Sequence, residues 1–538
     1  GSNWVQALTE EQFSALQTSD LASLGNASVK ILNTKQIVAL GSTGLRILTS
    51  AQFYALSTTQ IANLSTAQIR ALLTTHIAAL QTQQVAALSA DRIQAFSTLG
   101  LRILATSGIA TLSTAQASAM GTAQLRALSN SQIMALETED FAALSTRSIQ
   151  ALRTDSLAAL LTNQIAALTT YQAAALGSTA IMALTTAQIS ALQTQHLAMV
   201  GTQALQGLGL AQVQSLTGAE LQALSADQLR SLQTRQLNAL SSVQSTSLAS
   251  SQIAALTTTQ ISALGTGLFV ALTTEQVAAL LTSQVAALSG IHLGVISQDA
   301  LAALSTEQIG ALETADLAAL KTSMVANLSN AQLQALGTQQ MAALTSSQAR
   351  SLGSSQFASL DTAHVSAMEG VDFAALSTTV IGALGSAVVG GLQTLHMAAL
   401  GTAQAAALST DSAGSLSSAQ LNAIQSASFA ALSTRVIQAL SPEQILGLDV
   451  AVFLALSTSQ IQALGTSQLA SLGTAILSGG MLSQQIAALR TDQLAALSSS
   501  SIAALSTTGL QALSTTQIRS LSVSNWLALG TADVAALK

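Results

Sequence analysis

STEQIGALETADLAALKTSMVANL, residues 305–328, consists of three octapeptides in succession. Each octapeptide ends in Leu, carries Thr at its second place and has an aliphatic residue at its fifth place. We number the places 1 to 8, so that Leu312, Leu320 and Leu328 all lie at place 8. This period decides the fold, because every unit must bring its apolar places to a common interior.

The same period extends over the whole chain. From Gly1 to Leu472 the sequence divides into 59 octapeptides without an insertion, with the consensus S/T/G–T–x–Q–I/L/V–x–A–L. Two units then take 17 residues, 473–489, one more than the period requires, and six further octapeptides run from Arg490 to Leu537, which makes 67 in all. We predict a continuous solenoid over 1–472, a one-residue phase slip and hinge over 473–489, and a solenoid with a C-terminal cap over 490–538.

Two of the three backbone interpretations of an octapeptide fit poorly. In one uninterrupted α-helix, eight residues at about 100° each would leave successive Leu residues about 80° apart, so that Leu would face solvent on all sides. In a strand, places 2, 4, 6 and 8 would share one face and would mix Thr and Gln with Leu, while place 5 would point the opposite way. A β-solenoid with ladders of Thr and Gln is kept as the alternative.

One short helix in each octapeptide fits best. Places 5 and 8 are then i and i+3 neighbours on one face, and Ala at place 7 allows close approach. Helices this short are unstable alone, so they must stack on neighbouring units. The prediction is an all-α solenoid of about 67 helix-turn units that forms an elongated superhelical rod, with two or four units per layer left open. Trp4 and Trp526, in the first and second-last units, predict end caps.

Capping signals indicate where each helix begins and ends. Thr or Ser at place 2 is predicted to be the N-cap, and Gly at place 1, directly after Leu, is predicted to be a left-handed residue that ends the preceding helix. The string SPEQ at 441–444 instead makes Ser441 the cap, Pro442 the first helical residue and Gln444 the partner of a capping box. The cap therefore lies at place 1 or place 2. Cations favour place 6, near the helix C-terminus: Lys30, Arg46, Arg70, Arg102, Arg126, Arg230, Arg350 and Arg519.

Composition excludes several classes of function. Only 7% of residues are charged and the net charge is −6, with no basic run in the sequence, so nucleic acid is not an expected partner. Ser, Thr or Gln interrupts every apolar run well before the roughly 18 residues that a membrane span needs. The absence of Cys excludes disulfides and thiolate metal sites.

The histidines are the sharpest test for catalysis or metal binding. All of them lie at place 4, where the consensus has Gln, and the closest two are four octapeptides apart: His76, His196, His292, His364 and His396. A metal or catalytic histidine needs partners that converge from different elements, which this spacing does not supply. We predict that imidazole replaces the Gln amide as a neutral hydrogen-bonding group, and that Gln at place 4 forms a ladder that pairs the free backbone groups at helix ends. No catalytic, metal or cofactor residue is predicted.

Other chemistry finds little support in the sequence. Thr at place 2 forms a second row, which raises ice binding as a remote alternative, although helix capping accounts for the Thr. No phosphate-binding loop, HExxH motif or EF-hand is present, and Ser, His and Asp form no triad-like set. We expect a protein that is not an enzyme.

The string LTTEQVAALLTSQVAAL, residues 272–288, resembles the octapeptide arrays of very large secreted bacterial surface proteins, often catalogued as adhesins or as heme utilization/adhesion proteins. The resemblance covers nearly the whole chain and implies an extracellular or cell-surface setting linked to adhesion or biofilm. The isolated histidines and the lack of Cys give no support for haem binding.

These observations favour a structural role. The first hypothesis is an extracellular stalk, spacer or filament-forming segment of a bacterial surface adhesin, whose weakly charged Ala, Ser and Thr faces predict self-association into filaments or bundles. The alternative is a solenoid binding module for a peptide or glycan. A small-molecule ligand cannot be named from the sequence.

Overall fold

The computed structural model describes residues 2–537, without the side chains of residues 2, 3 and 480. Throughout this range the secondary structure is helical: 65 short α-helices, a 3₁₀-helix at Ser2–Ala7 and a π-helix at Ile476–Gly480, with no β-strand. The all-α solenoid is confirmed and the β-solenoid alternative is wrong for the described residues. The chain forms two compact units, Gly1–Leu272 (unit 1) and Thr273–Lys538 (unit 2). No helix in residues 2–537 is long and apolar enough to cross a membrane.

Each octapeptide contributes one helix of four to seven residues that begins at place 2 and ends between place 5 and place 7. Successive examples in unit 1 are Thr58–Ala62, Thr66–Ala71, Thr74–Ala78 and Thr82–Ala86. Successive examples in unit 2 are Thr306–Gly310, Thr314–Ala319, Thr322–Ala326 and Asn330–Gln334. The helix Gly41–Ile47 departs from the pattern by beginning at place 1.

Of the two positions left open for the N-cap, the structure has it at place 1, and the alternative at place 2 is wrong. At Ser57 the backbone is extended, with φ −71° and ψ 161°, and the side chain accepts a hydrogen bond from the backbone N–H of Gln60. Thr58 is therefore the first helical residue. Place 1 is the N-cap because Gln at place 4 lies three residues later, which is the spacing that a capping box requires. Capping consequently does not explain Thr at place 2.

Glycine at place 1 is the N-cap of the following helix in most units where we predicted that it would end the preceding helix. Its φ lies between −68° and −85° and its conformation is extended at Gly25, Gly121, Gly177, Gly265 and Gly401. Glycine at an N-cap needs no left-handed conformation and only leaves out the side-chain cap. The prediction is right at Gly41 alone among the described residues, with a φ of +59°.

Two extended residues turn the chain between successive helices. Leu72 at place 8 has φ −57° and ψ 136°, while Ser65 at place 1 of the same octapeptide has φ −71° and ψ 159°. Before the turn, the N–H of the place-8 residue donates to the C=O of place 5, as Leu64 does to Ile61 at 3.1 Å. This i→i−3 bond closes the last helical turn and uses one of the carbonyls that a short helix leaves free.

Burial follows the octapeptide as predicted. Place 5 and place 8 face inward: Ile61 and Leu64 are both fully buried. Gln60 at place 4 is buried beside them, with 2% of its surface exposed, while places 2, 3 and 6 face solvent in most units. Three kinds of side chain, Gln, an aliphatic residue and Leu, therefore make up the interior of each unit.

Helices three octapeptides apart in sequence pack on one another within each unit. Thr66–Ala71 packs on Ala90–Ala95, and Ser346–Ser351 packs on Gly370–Phe373. Hydrogen bonds between turns join residues 25 apart, as from Gln206 to Ser231, and residues 28 to 31 apart, as from Gln60 to the stretch 29–32. One turn of the solenoid therefore takes between three and four octapeptides, a number that the sequence left open.

The additional residue near Gly479 is accommodated in the π-helix Ile476–Gly480. That helix packs on Val450–Leu454, three octapeptides earlier, as in a regular turn. Gln485 and Gln493 then reach carbonyls 29 to 32 residues earlier, one residue more than elsewhere. The stacking register thus continues across 473–489, and the hinge remains a prediction.

The two tryptophans occupy different places. Trp4 lies at place 4, with 53% of its surface exposed, and Trp526 lies at place 5, with 39% exposed. At those places in inner repeats, Gln60 and Ile61 are buried. The capping role predicted for both rings stays a prediction.

Candidate functional site

The polar residue at place 4 is the one chemically distinctive side chain that the repeat carries into its interior. In Gln60 the Oε1 atom accepts a hydrogen bond from the backbone N–H of Ser57 at 2.7 Å. The Nε2 group points to the previous turn, where it lies 3.0 Å from the C=O of Val29, 3.2 Å from that of Lys30 and 2.7 Å from that of Leu32. One amide therefore pairs its own helix N-terminus with the C-terminus of a helix four octapeptides earlier.

The same geometry repeats in both units, which confirms the predicted glutamine ladder. Gln420 in unit 2 accepts from Ser417 at 2.7 Å and donates to Val389, Gly390 and Leu392 at 3.1, 3.4 and 2.6 Å. Where place 1 has no side-chain cap, the amide still accepts from the backbone N–H, as at Gly121 and Gln124. Among the described residues, no fully buried side-chain nitrogen or oxygen lacks a hydrogen-bond partner.

Four histidines replace this amide as predicted, at His76, His196, His292 and His396. His364 differs, because its Nδ1 lies 2.6 Å from the Asp361 carboxylate while its Nε2 lies 2.9 Å from the C=O of Leu336. His396 accepts the N–H of Gln393 at Nδ1, 3.1 Å away, and its Nε2 lies 2.9 Å from the C=O of Met368, 28 residues earlier. His76 repeats both contacts, with its Nε2 2.7 Å from the C=O of Leu48. A nitrogen that accepts and a nitrogen that donates define the neutral imidazole tautomer with the proton on Nε2.

Burial favours the neutral form of two of these rings. Desolvation lowers the pKa of His76 below its ordinary value, and the hydrogen bond to the C=O of Leu48 opposes this shift. Desolvation likewise lowers the pKa of His196, against the hydrogen bond to Leu168. The ring of His76 also stacks on Phe53, with ring centres 4.9 Å apart. These histidines are structural elements of the ladder.

Acidic residues also occupy place 4 and fit it less well. Burial raises the pKa of the Asp140 carboxyl above its ordinary value, and the nearby carboxylates of Glu137 and Glu139 raise it further. Burial also raises the pKa of Asp316, although the backbone N–H of Gly290 opposes this by hydrogen bonding to the carboxylate. A carboxylate cannot donate to the carbonyls of the previous turn as the Gln amide does, so the charged form is disfavoured there.

Ser289, His292 and Asp316 are the nearest approach to a catalytic set. The Ser289 Oγ lies 2.9 Å from Nδ1 of His292, which also accepts the Ser289 N–H at 3.1 Å. His292 and Asp316 are 4% and 9% exposed. The contact between Ser289 and His292 repeats the cap geometry of the other units, so it supports a structural assignment. In residues 2–537, no three His, Asp or Glu side chains come together in a way that could hold a metal ion.

The fold brings together a group of arginines whose proximity is not apparent from the sequence. Arg102, Arg126 and Arg153 line one open surface groove of about 510 Å³ in unit 1, with Thr98 and Leu99 beside them. All three side chains are exposed. The three arginines are widely separated in sequence, so their grouping is not visible there. They lie side by side because one turn of the solenoid takes between three and four octapeptides.

Five segments of the chain match the family model of the ALTTAQ repeat: residues 33–66, 61–98, 133–170, 309–346 and 365–402. The chain is thus a repeat array with segments in both units that are similar to this repeat. A comparison with curated proteins found no match.

Proposed function

We propose that this chain is a non-catalytic structural spacer: a stalk or filament-forming segment of an extracellular bacterial surface or biofilm adhesin. One observation carries the proposal. The polar group that recurs in the interior, Gln at place 4, is engaged in hydrogen bonds between successive turns, as at Gln60 and Gln420. The side chains with the most potential for chemistry therefore hold the solenoid together.

The interface between turns is also suited to building length. Each octapeptide offers the same contacts to the turns before and after it, so that units can be added without redesigning the interior. The one additional residue near Gly479 is absorbed locally and the packing continues beyond it. Tolerance of an inserted residue is useful in a spacer, because the function of a spacer depends on its length.

The extracellular setting and the adhesin assignment are inferences from resemblance. The octapeptide pattern is similar to the arrays of very large secreted bacterial surface proteins, and the absence of Cys is compatible with an oxidising exterior. The weakly charged Ser, Thr and Ala surface favours association of copies side by side or end to end, because few like charges oppose it.

Electron microscopy of the purified chain, together with sedimentation analysis, tests the structural part of this proposal. We expect thin, elongated particles and an oligomer content that increases with protein concentration. Compact globular particles would contradict the spacer role. Antibodies against the chain should label intact source cells without permeabilisation, and labelling only after permeabilisation would contradict the surface location.

A further inference from the structure

Three exposed arginines of unit 1, Arg102, Arg126 and Arg153, line the same surface groove. Successive members lie between three and four octapeptides apart in sequence. This spacing matches that of the hydrogen-bonded residues on neighbouring turns. We call this set the arginine stripe.

Packing contacts establish the neighbours along the arginine stripe. The helices Thr98–Ile103 and Thr122–Ala127, which carry Arg102 and Arg126, pack on each other.

The arginine stripe has little internal neutralisation. Among the described residues, Arg102 and Arg126 form no ion pair, while Arg153 pairs with Asp155 at 2.9 Å across an exposed surface. An exposed pair of this kind contributes little and exchanges readily with another anion. The guanidinium groups of Arg102 and Arg126 are thus available on two packed helices, whose axes lie about 9 Å apart at the usual helix–helix distance.

From this geometry we propose that the arginine stripe binds an acidic polysaccharide whose carboxylates are sparse enough to meet about one arginine each. Guanidinium groups pair with carboxylates through two parallel hydrogen bonds. Between the arginines, the groove offers the hydroxyls of Thr98 and Ser131 for sugar hydroxyls, and the exposed side chain of Leu99 for the apolar face of a sugar ring.

Nucleic acid fits the arginine stripe less well. Duplex DNA carries about one negative charge per 1.7 Å of axis, a density that one arginine per turn cannot neutralise, and unit 1 as a whole has a net charge of only +1. The groove lining contains no aromatic ring on which an unpaired base could stack. The inference does not depend on the structural role proposed above, because it concerns the outer surface of unit 1 alone.

Binding of the full chain to immobilised hyaluronate, which carries one carboxylate per disaccharide, tests the proposal. We expect binding that weakens with added salt, and no binding to neutral dextran. The double variant Arg102→Gln/Arg126→Gln should bind hyaluronate at least tenfold more weakly. The matched control Arg350→Gln/Arg435→Gln removes two exposed arginines from unit 2 and should bind within twofold of the natural chain.

Several outcomes would overturn the proposal. Failure of the natural chain to bind hyaluronate would do so, and so would an equal loss in the two double variants, which would indicate a general effect of net charge. Duplex DNA that binds more tightly than hyaluronate and loses affinity with Arg102 and Arg126 would assign the arginine stripe to nucleic acid instead. Unchanged thermal unfolding of both variants serves as the check that each is folded.

Discussion

Units 1 and 2 have interiors of the same kind, and they differ in the net charge of their outer residues. Unit 1 has eleven Lys and Arg against ten Asp and Glu, a net charge of +1, whereas unit 2 has six against thirteen, a net charge of −7. The buried contacts of Gln60 in unit 1 and Gln420 in unit 2 are nevertheless the same in kind and nearly the same in length. The difference shows that packing of the turns fixes places 4, 5 and 8 and leaves the outer places free to differ.

The largest effect should come from the interior, and it should be equal in the two units. Phe53 and Phe373 are both fully buried at place 5, and each contacts a histidine of the next turn, His76 or His396. Phe53→Ala and Phe373→Ala should each lower the local free energy of unfolding by about 3–5 kcal/mol through lost burial and a new cavity. Hydrogen exchange read by mass spectrometry around each site measures this. If the two decreases in free energy of unfolding differed by more than about half the width of that range, the interiors of the two units would not be equivalent.

Removing a ladder amide should cost less and should again be symmetrical. Gln60→Ala and Gln420→Ala each leave backbone groups of two helices without a partner, at a cost of about 1–3 kcal/mol. Gln60→His and Gln420→His are the matched controls, because His76 and His396 already make the same bonds. Denaturant unfolding of the four variants compares them. A histidine variant as unstable as its alanine counterpart would show that bulk, and not hydrogen bonding, governs place 4.

These expectations indicate how far the sequence alone could predict the fold. The eight-residue period, the inward side chains at places 5 and 8, and the exchange of His for Gln follow from residue chemistry within one octapeptide. The cap position was predictable in principle from Ser441, Pro442 and Gln444, because a capping box has a fixed spacing. The more frequent Thr at place 2 suggested the wrong residue.

The number of helices per turn was not predictable. It depends on the angle at which the extended residues at places 8 and 1 join two helices, and small changes in those torsions accumulate over several units. The arginine stripe shares this origin. Arg102 and Arg126 could be recognised in sequence as cations near helix C-termini, but their position beside Arg153 exists only once the turn length is known.

An acidic residue at place 4 of the glutamine ladder should lower the stability of the fold, and a single substitution by Gln should restore it. Asp140→Gln in unit 1 should raise the free energy of unfolding by about 1 kcal/mol near neutral pH, because the amide restores donation to the previous turn. Because the pKa of Asp140 is raised, its carboxyl contributes most to the stability of the folded chain below about pH 3.8, and this contribution is lost as pH rises. The gain should therefore shrink in acid, as thermal unfolding at several pH values would show. A gain that grows in acid would reverse the assigned sign.

In unit 2, Asp316→Gln should stabilise less than Asp140→Gln does in unit 1. The carboxylate of Asp316 accepts a hydrogen bond from the backbone N–H of Gly290, which the substitution would remove. The same pH series of thermal unfolding measures both variants. An equal or larger gain for Asp316→Gln would show that this backbone bond does not offset the burial of the charge.

The smallest effect should be a mild acid sensitivity of unit 1. His76 and His196 have lowered pKa values in the folded chain, so the stability that they contribute is complete above about pH 6.5 and declines as pH falls through their folded pKa values. The double variant His76→Gln/His196→Gln should remove this part of the pH dependence. Hydrogen exchange around both sites at pH 7.5 and pH 5.5 compares the variant with the natural chain. An identical pH response in the two would contradict the neutral-ring assignment.

Each turn of the solenoid contains between three and four octapeptides and is bonded to the next through place 4, and distances between spin labels test this most directly. The chain has no Cys, so labels can be attached only at introduced cysteines. Electron paramagnetic resonance should compare Ala67→Cys/Asp91→Cys, three octapeptides apart, with Ala67→Cys/Gln83→Cys, two octapeptides apart, all at exposed place 3. We predict that the pair separated by three octapeptides is the closer of the two. A shorter distance for the pair separated by two octapeptides would indicate two octapeptides per turn and would contradict the fold described here.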